Sequence, residues 1–197
     1  MAPALGGHHH VALLAVGGDH RGLRRELPHP PSSSPAGPGF MIVQIATLGP
    51  LGRLKAPGTW GSAAGLLWWA VVVRLAHDKQ GPHEFIFDSL VVLMAILLCG
   101  VAAAFIGKKD PSEVILDEFA AMPLVFLFNP YVYAGKSSLL FILLGFLLFR
   151  LFDITKPFGI KALEKLPGGF GIVLDDVMAA IYANLVLHGI ALLWKVL

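Results

Sequence analysis

The sequence has few charged residues. Asp, Glu, Lys and Arg make up 14% of its 197 residues and apolar side chains make up 56%, whereas about a quarter of an ordinary soluble domain is charged. The formal net charge is only +2, which indicates no surface for nucleic acid or another polyanion. A composition this apolar is typical of a protein that lies in a lipid bilayer.

Cysteine is almost absent as well. Cys99 is the only one, which excludes an intrachain disulfide framework and a zinc site built from cysteines. Because it lies in an apolar run, we interpret it as a small buried hydrophobic side chain.

The first forty residues differ in composition from the rest. Residues 1–39 contain six of the fourteen prolines, a run of three serines and a run of three histidines. Their one apolar patch is too short to span a membrane, and no Lys or Arg precedes it as in a signal peptide. We expect residues 1–40 to be a disordered or non-native leader, with translation starting near Met41, and residues 41–197 to form one membrane domain.

From Met41 onward, apolar stretches alternate with short polar loops. We predict an all-α, multi-pass membrane helical bundle of four to five hydrophobic segments. The candidate segments are residues 60–76, 86–106, 112–128, 138–152 and 177–194. The first is marginal for a span, which needs about 20 residues. Pro123 removes a backbone donor from the third, so we expect that segment to be kinked, divided or re-entrant.

Basic residues are concentrated on one side of these segments. With the first loop inside, the inner side holds Arg53, Lys55, Lys108, Lys109, Arg150, Lys156, Lys161 and Lys165, against four basic residues outside. Cytoplasmic loops carry such an excess, so this side is predicted to face the cytoplasm. The acidic residues on the same side are Asp110, Glu113, Asp117, Glu118, Asp153, Glu164, Asp175 and Asp176. Three separate loops thus bring carboxylates and cations to one membrane face.

Paired carboxylates at the entrances of apolar helices indicate a metal site. Placing them there is costly, and hard oxygen ligands suit Mg²⁺, which takes further contacts from a substrate phosphate. The candidates are Asp117 with Glu118, Asp175 with Asp176, and Asp153. Simpler interpretations exist for some of them. Asp117 and Glu118 can complement the dipole of a helix that they begin, and Asp153 can pair with Arg150 or Lys156 at helical spacing.

Basic and glycine residues beside these acids can hold a phosphate. Arg150 offers a planar fork of donors and Lys156 a point charge. Backbone amides from Gly168 to Gly171 can approach a phosphate closely because glycine has no Cβ. The alternative for these glycines is a loop before a helix that Asp175 caps. The loop around Thr59 is either a second phosphate-binding loop or a helix start capped by its own hydroxyl residues, Thr59 or Ser62.

Several other phosphate chemistries lack the residues they need. Cys99 has no arginine six residues further on, and the sequence contains no Asp-x-Asp and no Ser-Gly-His. Residues 135–137 read like the end of a P-loop, but Pro130 stands where the first glycine is needed. Of the phosphate chemistries considered, metal-dependent hydrolysis with carboxylate ligands is the one that the sequence still allows.

Three blocks of sequence resemble the bacterial phosphatidylglycerophosphatase A family. These blocks are APGTWGS at 56–62, VILDEF at 114–119, and FRLFDITKP at 149–157 continuing to GGFGIVLDD at 168–176. Members of the family are Mg²⁺-dependent membrane enzymes that remove the terminal phosphate from phosphatidylglycerophosphate to give phosphatidylglycerol. The resemblance covers about residues 45 to 190. The chain departs from the family pattern at Phe158-Gly159 and Ala121, which we expect to alter loop stiffness and helix packing without removing a ligand.

The resemblance implies roles for particular residues. It implies a metal site on Asp117, Glu118, Asp153, Asp175 and Asp176 and phosphate contacts from Arg150 and Lys156, and it favours phosphate binding by the Thr59 loop. We predict that Asp117, Glu118, Asp175 and Asp176 bind the metal and that Asp117, Asp176 and Asp153 are catalytic, with Asp153 either binding the metal or orienting water. We also predict phosphate contacts from Gly168 and Gly169.

The resemblance also implies a location and partners. The site would face the cytoplasm at the headgroup level of the bacterial inner membrane, where a phospholipid is the expected substrate and no nucleic acid is expected. Oligomeric state and metal number stay open. The alternatives are an ion-coupled membrane transporter, whose buried acids would lie near mid-membrane, and a lipid phosphotransferase, whose usual Asp-Gly and Ala-Arg spacing is absent.

Overall fold

The computed structural model describes residues 37–75, 82–133 and 138–196, which form helices and turns without any strand. The all-α prediction is confirmed for this part of the chain. Residues 1–36 of the predicted leader lie outside the described residues. Its last residues are described, and the first helix begins at Pro38, before Met41.

Eight α-helices and two short 3₁₀ helices make up most of the described residues. The α-helices are α1 (Pro38–Ala46), α2 (Pro57–Leu75), α3 (Pro82–Ile106), α4 (Leu116–Ala121), α5 (Pro130–Tyr133), α6 (Ser138–Thr155), α7 (Ile160–Leu163) and α8 (Gly169–Val196). The 3₁₀ helices are Leu51–Arg53 and Met122–Phe126.

Three of these helices, α3, α6 and α8, are long and apolar enough to cross a membrane. The shortest has 18 residues, which gives about 27 Å of helix against a hydrocarbon core of about 30 Å. The described residues thus contain three candidate spans, and the prediction of four to five is not confirmed. The first predicted segment, in α2, is not among them, and the first turns of α2 hold glycine, hydroxyl and alanine residues beside a single large side chain, Trp60.

The third predicted segment is divided, as expected from Pro123. Helix α4 ends just before a 3₁₀ helix that contains Pro123, and α5 begins only at Pro130. The side-chain amide of Asn184 on α8 donates to backbone carbonyls exposed by the break. Its acceptors are the carbonyls of Leu124, Val125 and Leu127, at 3.2, 2.9 and 3.0 Å. Asn184 therefore joins α8 to the broken segment by hydrogen bonds.

Two apolar clusters hold the helices together. In the first, Trp69 of α2 packs against Phe126, with ring centroids 4.4 Å apart, and α6 adds the fully buried Phe141 and Phe149. The second joins α1, α3, α4 and the start of α8 and contains Cys99, which has no exposed surface. The interpretation of Cys99 as a buried hydrophobic side chain is confirmed.

A glycine contact fixes where α8 starts. A Cβ at Gly169 would collide with the backbone carbonyl of Ile96, and one at Gly100 would press on the backbone of Gly169. Helices α3 and α8 therefore cross with their backbones in contact. Helix α8 begins at this crossing, instead of at residue 177 as predicted. Asp175 and Asp176 consequently lie in its second turn, inside the helix.

Candidate active site

Three acids from distant parts of the sequence meet at one point. Asp117 and Glu118 lie in the first turn of α4, and Asp176 lies in the second turn of α8. One oxygen from each lies within 4.8 Å of the other two. Oxygens on opposite sides of one hard cation are about 4 to 5 Å apart, since each lies about 2.0 to 2.6 Å from the metal. The spacing therefore suits a single divalent ion.

Several carboxylate oxygens at this point have no hydrogen-bond partner within the part of the chain that the structure describes. These atoms are Oδ1 of Asp117, Oε2 of Glu118 and Oδ1 of Asp175. Asp117 and Asp176 are only 6% and 4% exposed, and a buried carboxylate without a partner is costly. Free carboxylate oxygens are also the ligands that Mg²⁺ prefers. The residues present thus fit a hard divalent cation.

Burial changes the proton affinity of the acids on α4. It raises the pKa of Asp117 well above its ordinary value, and the neighbouring Glu118 carboxylate raises it further. Burial also raises the pKa of Glu118. Both shifts follow because a negative charge that is removed from water is unfavourable. A bound proton or cation would relieve this cost.

Arg150 and Asp153 form an ion pair near the end of α6. Arg150 Nη1 donates to Asp153 Oδ2 at 2.5 Å, which confirms the predicted pairing at helical spacing. The same nitrogen donates to the hydroxyl of Ser62 at 3.3 Å. Ser62 is fully buried and in turn donates to the carbonyl of Gly58. Among the described residues, Arg150 Nε is buried without a hydrogen-bond partner, and the guanidinium is held through Nη1 while the residue lines the cavity described below.

Lys156 bonds to acids on two other elements. Its Nζ donates to Asp175 Oδ2 at 2.5 Å and to Glu164 Oε1 at 2.8 Å. Burial alone would lower the pKa of Lys156, but the hydrogen bonds with Asp175 and Glu164 outweigh it and the pKa is raised. The lysine therefore stays positively charged. It occupies one oxygen of Asp175 and leaves the other free.

These groups line one cavity of about 260 Å³. It contains seven of the residues predicted from the sequence, namely Asp117, Glu118, Arg150, Asp153, Lys156, Asp175 and Asp176. Another wall is the turn after α3, with Asp110, Pro111 and Ser112. The site prediction did not include this turn. The signal available for it was a polar Asp-Pro-Ser sequence between two apolar segments.

The structure does not bring the remaining predicted residues into this cavity. Thr59 is exposed in the first turn of α2. Gly168 lines a neighbouring cavity of about 210 Å³, and Gly169 packs against α3. Their phosphate contacts stay predictions. The capping alternatives are wrong, because α2 begins at Pro57 and α8 at Gly169, so that Thr59, Ser62 and Asp175 all lie inside helices.

Two other glycines of the first sequence block shape the site instead. A Cβ at Gly58 would collide with the Glu118 carboxylate, and one at Gly61 would collide with the carbonyl of Ile115. Both glycines let α2 approach α4 closely enough for Gly58 to line the cavity. The sequence of this block predicts phosphate binding or capping. It does not reveal that the absence of a Cβ at Gly58 leaves room for the Glu118 carboxylate of α4.

The fold and the cavity together define a class of protein. Buried acids that suit a hard cation lie beside membrane-grade helices, in one cavity with an arginine and a charged lysine. This combination is suited to a phosphate group on a membrane-borne molecule.

Comparison with known proteins gives the family. The model of the family described as phosphatidylglycerophosphatase A matches residues 44–191. The chain belongs to this family, and the resemblance inferred from the three sequence blocks is confirmed. No solved structure matches the chain.

Three curated relatives are similar over most of the chain. Phosphatidylglycerophosphatase A from Haemophilus influenzae is 41% identical over 136 residues, covering 68% of this chain and 78% of the relative. A putative phosphatidylinositol-3-phosphatase from Bacteroides thetaiotaomicron is 30% identical over 152 residues, covering 74% and 91%. Phosphatidylglycerophosphatase A from Escherichia coli is 29% identical over 143 residues, covering 70% and 76%. All three names are those of lipid phosphatases.

Proposed function

We propose that this chain is a lipid phosphatase that hydrolyses the terminal phosphate of phosphatidylglycerophosphate, giving phosphatidylglycerol and phosphate in phospholipid biosynthesis. Two relatives carry the name of this activity. The observation that carries the proposal is the meeting of Asp117, Glu118 and Asp176 within 4.8 Å, in the same cavity as Arg150.

The cofactor that we propose is Mg²⁺. Asp117, Glu118 and Asp176 would hold it, and the free oxygen of Asp175 offers a further ligand. When bound, Mg²⁺ polarises a phosphoryl oxygen and makes water more acidic. The support for this assignment is the set of buried carboxylate oxygens that lack partners, because such oxygens match the ligand preference of a hard cation.

The basic residues bind and stabilise the phosphate. Arg150 is oriented by its contacts with Asp153 and Ser62 and lines the cavity, so its guanidinium can bond to a phosphoryl oxygen without first being ordered. Donors fixed in advance stabilise charge that develops in the transition state. Lys156 keeps its charge and adds positive potential to the same cavity.

Asp153 is the residue that we assign to the attacking water. It lines the cavity together with the metal-binding acids, and its bond with Arg150 fixes the direction of its carboxylate. A carboxylate held in this way can orient a water molecule and accept a proton from it.

We place the enzyme in the bacterial inner membrane with its cavity facing the cytoplasm. The support is the excess of Lys and Arg on the side that also carries the acids when all five predicted segments are counted as crossing the membrane. The position of Asp176 disfavours the transporter alternative, because it lies in the second turn of the candidate span α8, close to one end of that span.

Phosphate release from purified protein tests the function. We expect release from phosphatidylglycerophosphate in the presence of Mg²⁺, and none after chelation with EDTA or in Asp176→Asn. Glu113→Gln is the matched control, since this acid pairs with Lys108 outside the cavity and the variant should retain activity. Phosphatidylinositol 3-phosphate is the comparison substrate because of the relative from Bacteroides. Release that is insensitive to both EDTA and Asp176→Asn would contradict the proposal.

A further inference from the structure

An apolar groove lies between two of the candidate membrane spans. It has a volume of about 350 Å³ and is formed by α3, α8 and the chain around the break after Pro123. Its apolar walls include Val92, Leu124, Leu127, Val177, Ile181 and Leu185. Because α3 and α8 are both apolar enough to cross a membrane, the groove opens at a depth where lipid chains surround the protein.

The polar side chains in the groove have their donors engaged by the protein itself. The hydroxyl of Ser89 donates to the carbonyl of Phe85 at 2.7 Å. The amide of Asn184 donates to the carbonyls beside the break. A ligand in the groove therefore finds apolar surface and no free side-chain donor, which suits a hydrocarbon chain and not a polar molecule.

Along α8, the residues that line the groove follow directly after those that line the proposed active site. Asp175 and Asp176 line the acidic cavity, and the next residue, Val177, lines the groove. From Val177 to Leu185 the groove follows α8 for about 12 Å, at 1.5 Å per residue. A lipid with its phosphate among the acids would direct its hydrocarbon toward this part of the helix.

We propose that the groove binds an acyl chain of the lipid substrate. The inference rests on the proposed function in that the substrate is a lipid phosphomonoester. It adds that the enzyme recognises the hydrocarbon as well as the phosphate. Contact with the groove strengthens binding of long-chain substrates over that of short-chain ones, because each buried methylene group improves binding about four-fold.

Substitution within the groove tests this selectivity. Ile181→Trp fills the groove from α8, and Val186→Trp is its matched control. The two residues are 41% and 40% exposed on the same helix, but Val186 does not line the groove. The assay compares kcat/KM for phosphatidylglycerophosphate with sixteen-carbon and with four-carbon acyl chains. We expect Ile181→Trp to lower the long-to-short ratio by about ten-fold, the loss of one to two methylene contacts, and Val186→Trp to leave it unchanged. An unchanged ratio in Ile181→Trp, or an equal fall in both variants, would overturn the proposal.

Photolabelling of the protein tests occupancy without turnover. A sixteen-carbon phosphatidylglycerophosphate with a diazirine on its acyl chain should label peptides that contain Val92 or Ile181, and Ile181→Trp but not Val186→Trp should abolish the label. Labelling in a protein that releases no phosphate would contradict the proposed function but support acyl-chain binding in the groove. Phosphate release without labelling would refute the groove alone. A change of oligomeric state in Ile181→Trp alone would show that a second copy of the chain occupies the groove.

Discussion

Replacing Asp176 with Asn should abolish activity and yet stabilise the protein when no metal is present. Asp176 is 4% exposed, and its oxygen lies within 4.8 Å of oxygens from Asp117 and Glu118. Two full charges at that distance repel by about 3 kcal/mol at an effective dielectric constant of about 20. Because protons shared among the acids reduce this repulsion, we expect Asp176→Asn to raise the free energy of unfolding by about 1 to 3 kcal/mol.

Thermal unfolding in detergent measures this effect. A gain of 1 to 3 kcal/mol corresponds to a rise in Tm of about 2 to 12 °C for a protein of this size. Excess Mg²⁺ should raise the Tm of the unmodified protein more than that of Asp176→Asn, because the variant has lost a ligand and metal binding stabilises only the folded state. Phosphate release by the variant should fall by about 10²- to 10³-fold or more. A lower Tm of Asp176→Asn in EDTA would contradict the repulsion between the acids. Equal shifts of the Tm by Mg²⁺ in both proteins would contradict a cation shared with Asp176.

Three further predictions concern the surroundings of the acids. Gly58→Ala should lower kcat/KM about 10²-fold by displacing the Glu118 carboxylate, whereas Gly189→Ala, with open space around it, should not; equal activities would show that Glu118 tolerates displacement. Ser62→Ala should raise KM and lower kcat/KM by about 2- to 10-fold through the lost contact with Arg150, and Ser62→Thr should restore part of this; a pure loss of Tm with unchanged kinetics would limit Ser62 to a structural role. At limiting Mg²⁺, activity should fall as the pH is lowered, because the raised pKa of Glu118 lets protons displace the cation at a higher pH than for an ordinary carboxyl. Excess Mg²⁺ should reverse that loss, and a pH profile independent of Mg²⁺ would argue against competition.

The acids of the site could be predicted from the sequence because a charged residue at the end of an apolar segment is energetically unfavourable and is therefore conspicuous. Charged residues are rare in this chain, so Asp117, Glu118, Asp153, Asp175 and Asp176 stand out at the edges of apolar segments. The break in the third segment was equally visible, since Pro123 cannot continue the hydrogen bonding of a helix. In both cases the chemical nature of the residue itself is enough for the prediction, and no tertiary contact has to be known.

The start of α8 was not predictable in the same way. The Gly168–Gly171 run signals a loop by propensity, but Gly169 lies in a helix because its missing Cβ lets α3 come into contact. The same holds for Gly58, whose role depends on a carboxylate sixty residues further along the chain. These assignments depend on tertiary contacts, which override local preference.

The bond pattern of Asn184 has a consequence for how the chain enters its membrane. The carbonyls of Leu124, Val125 and Leu127 receive their hydrogen bonds from a side chain that lies 57 to 60 residues later in the sequence. Hydrocarbon offers no substitute donor, so we expect this stretch to remain in contact with water or with the insertion machinery until α8 has been synthesised. The membrane domain should therefore complete its folding only after α8 is present.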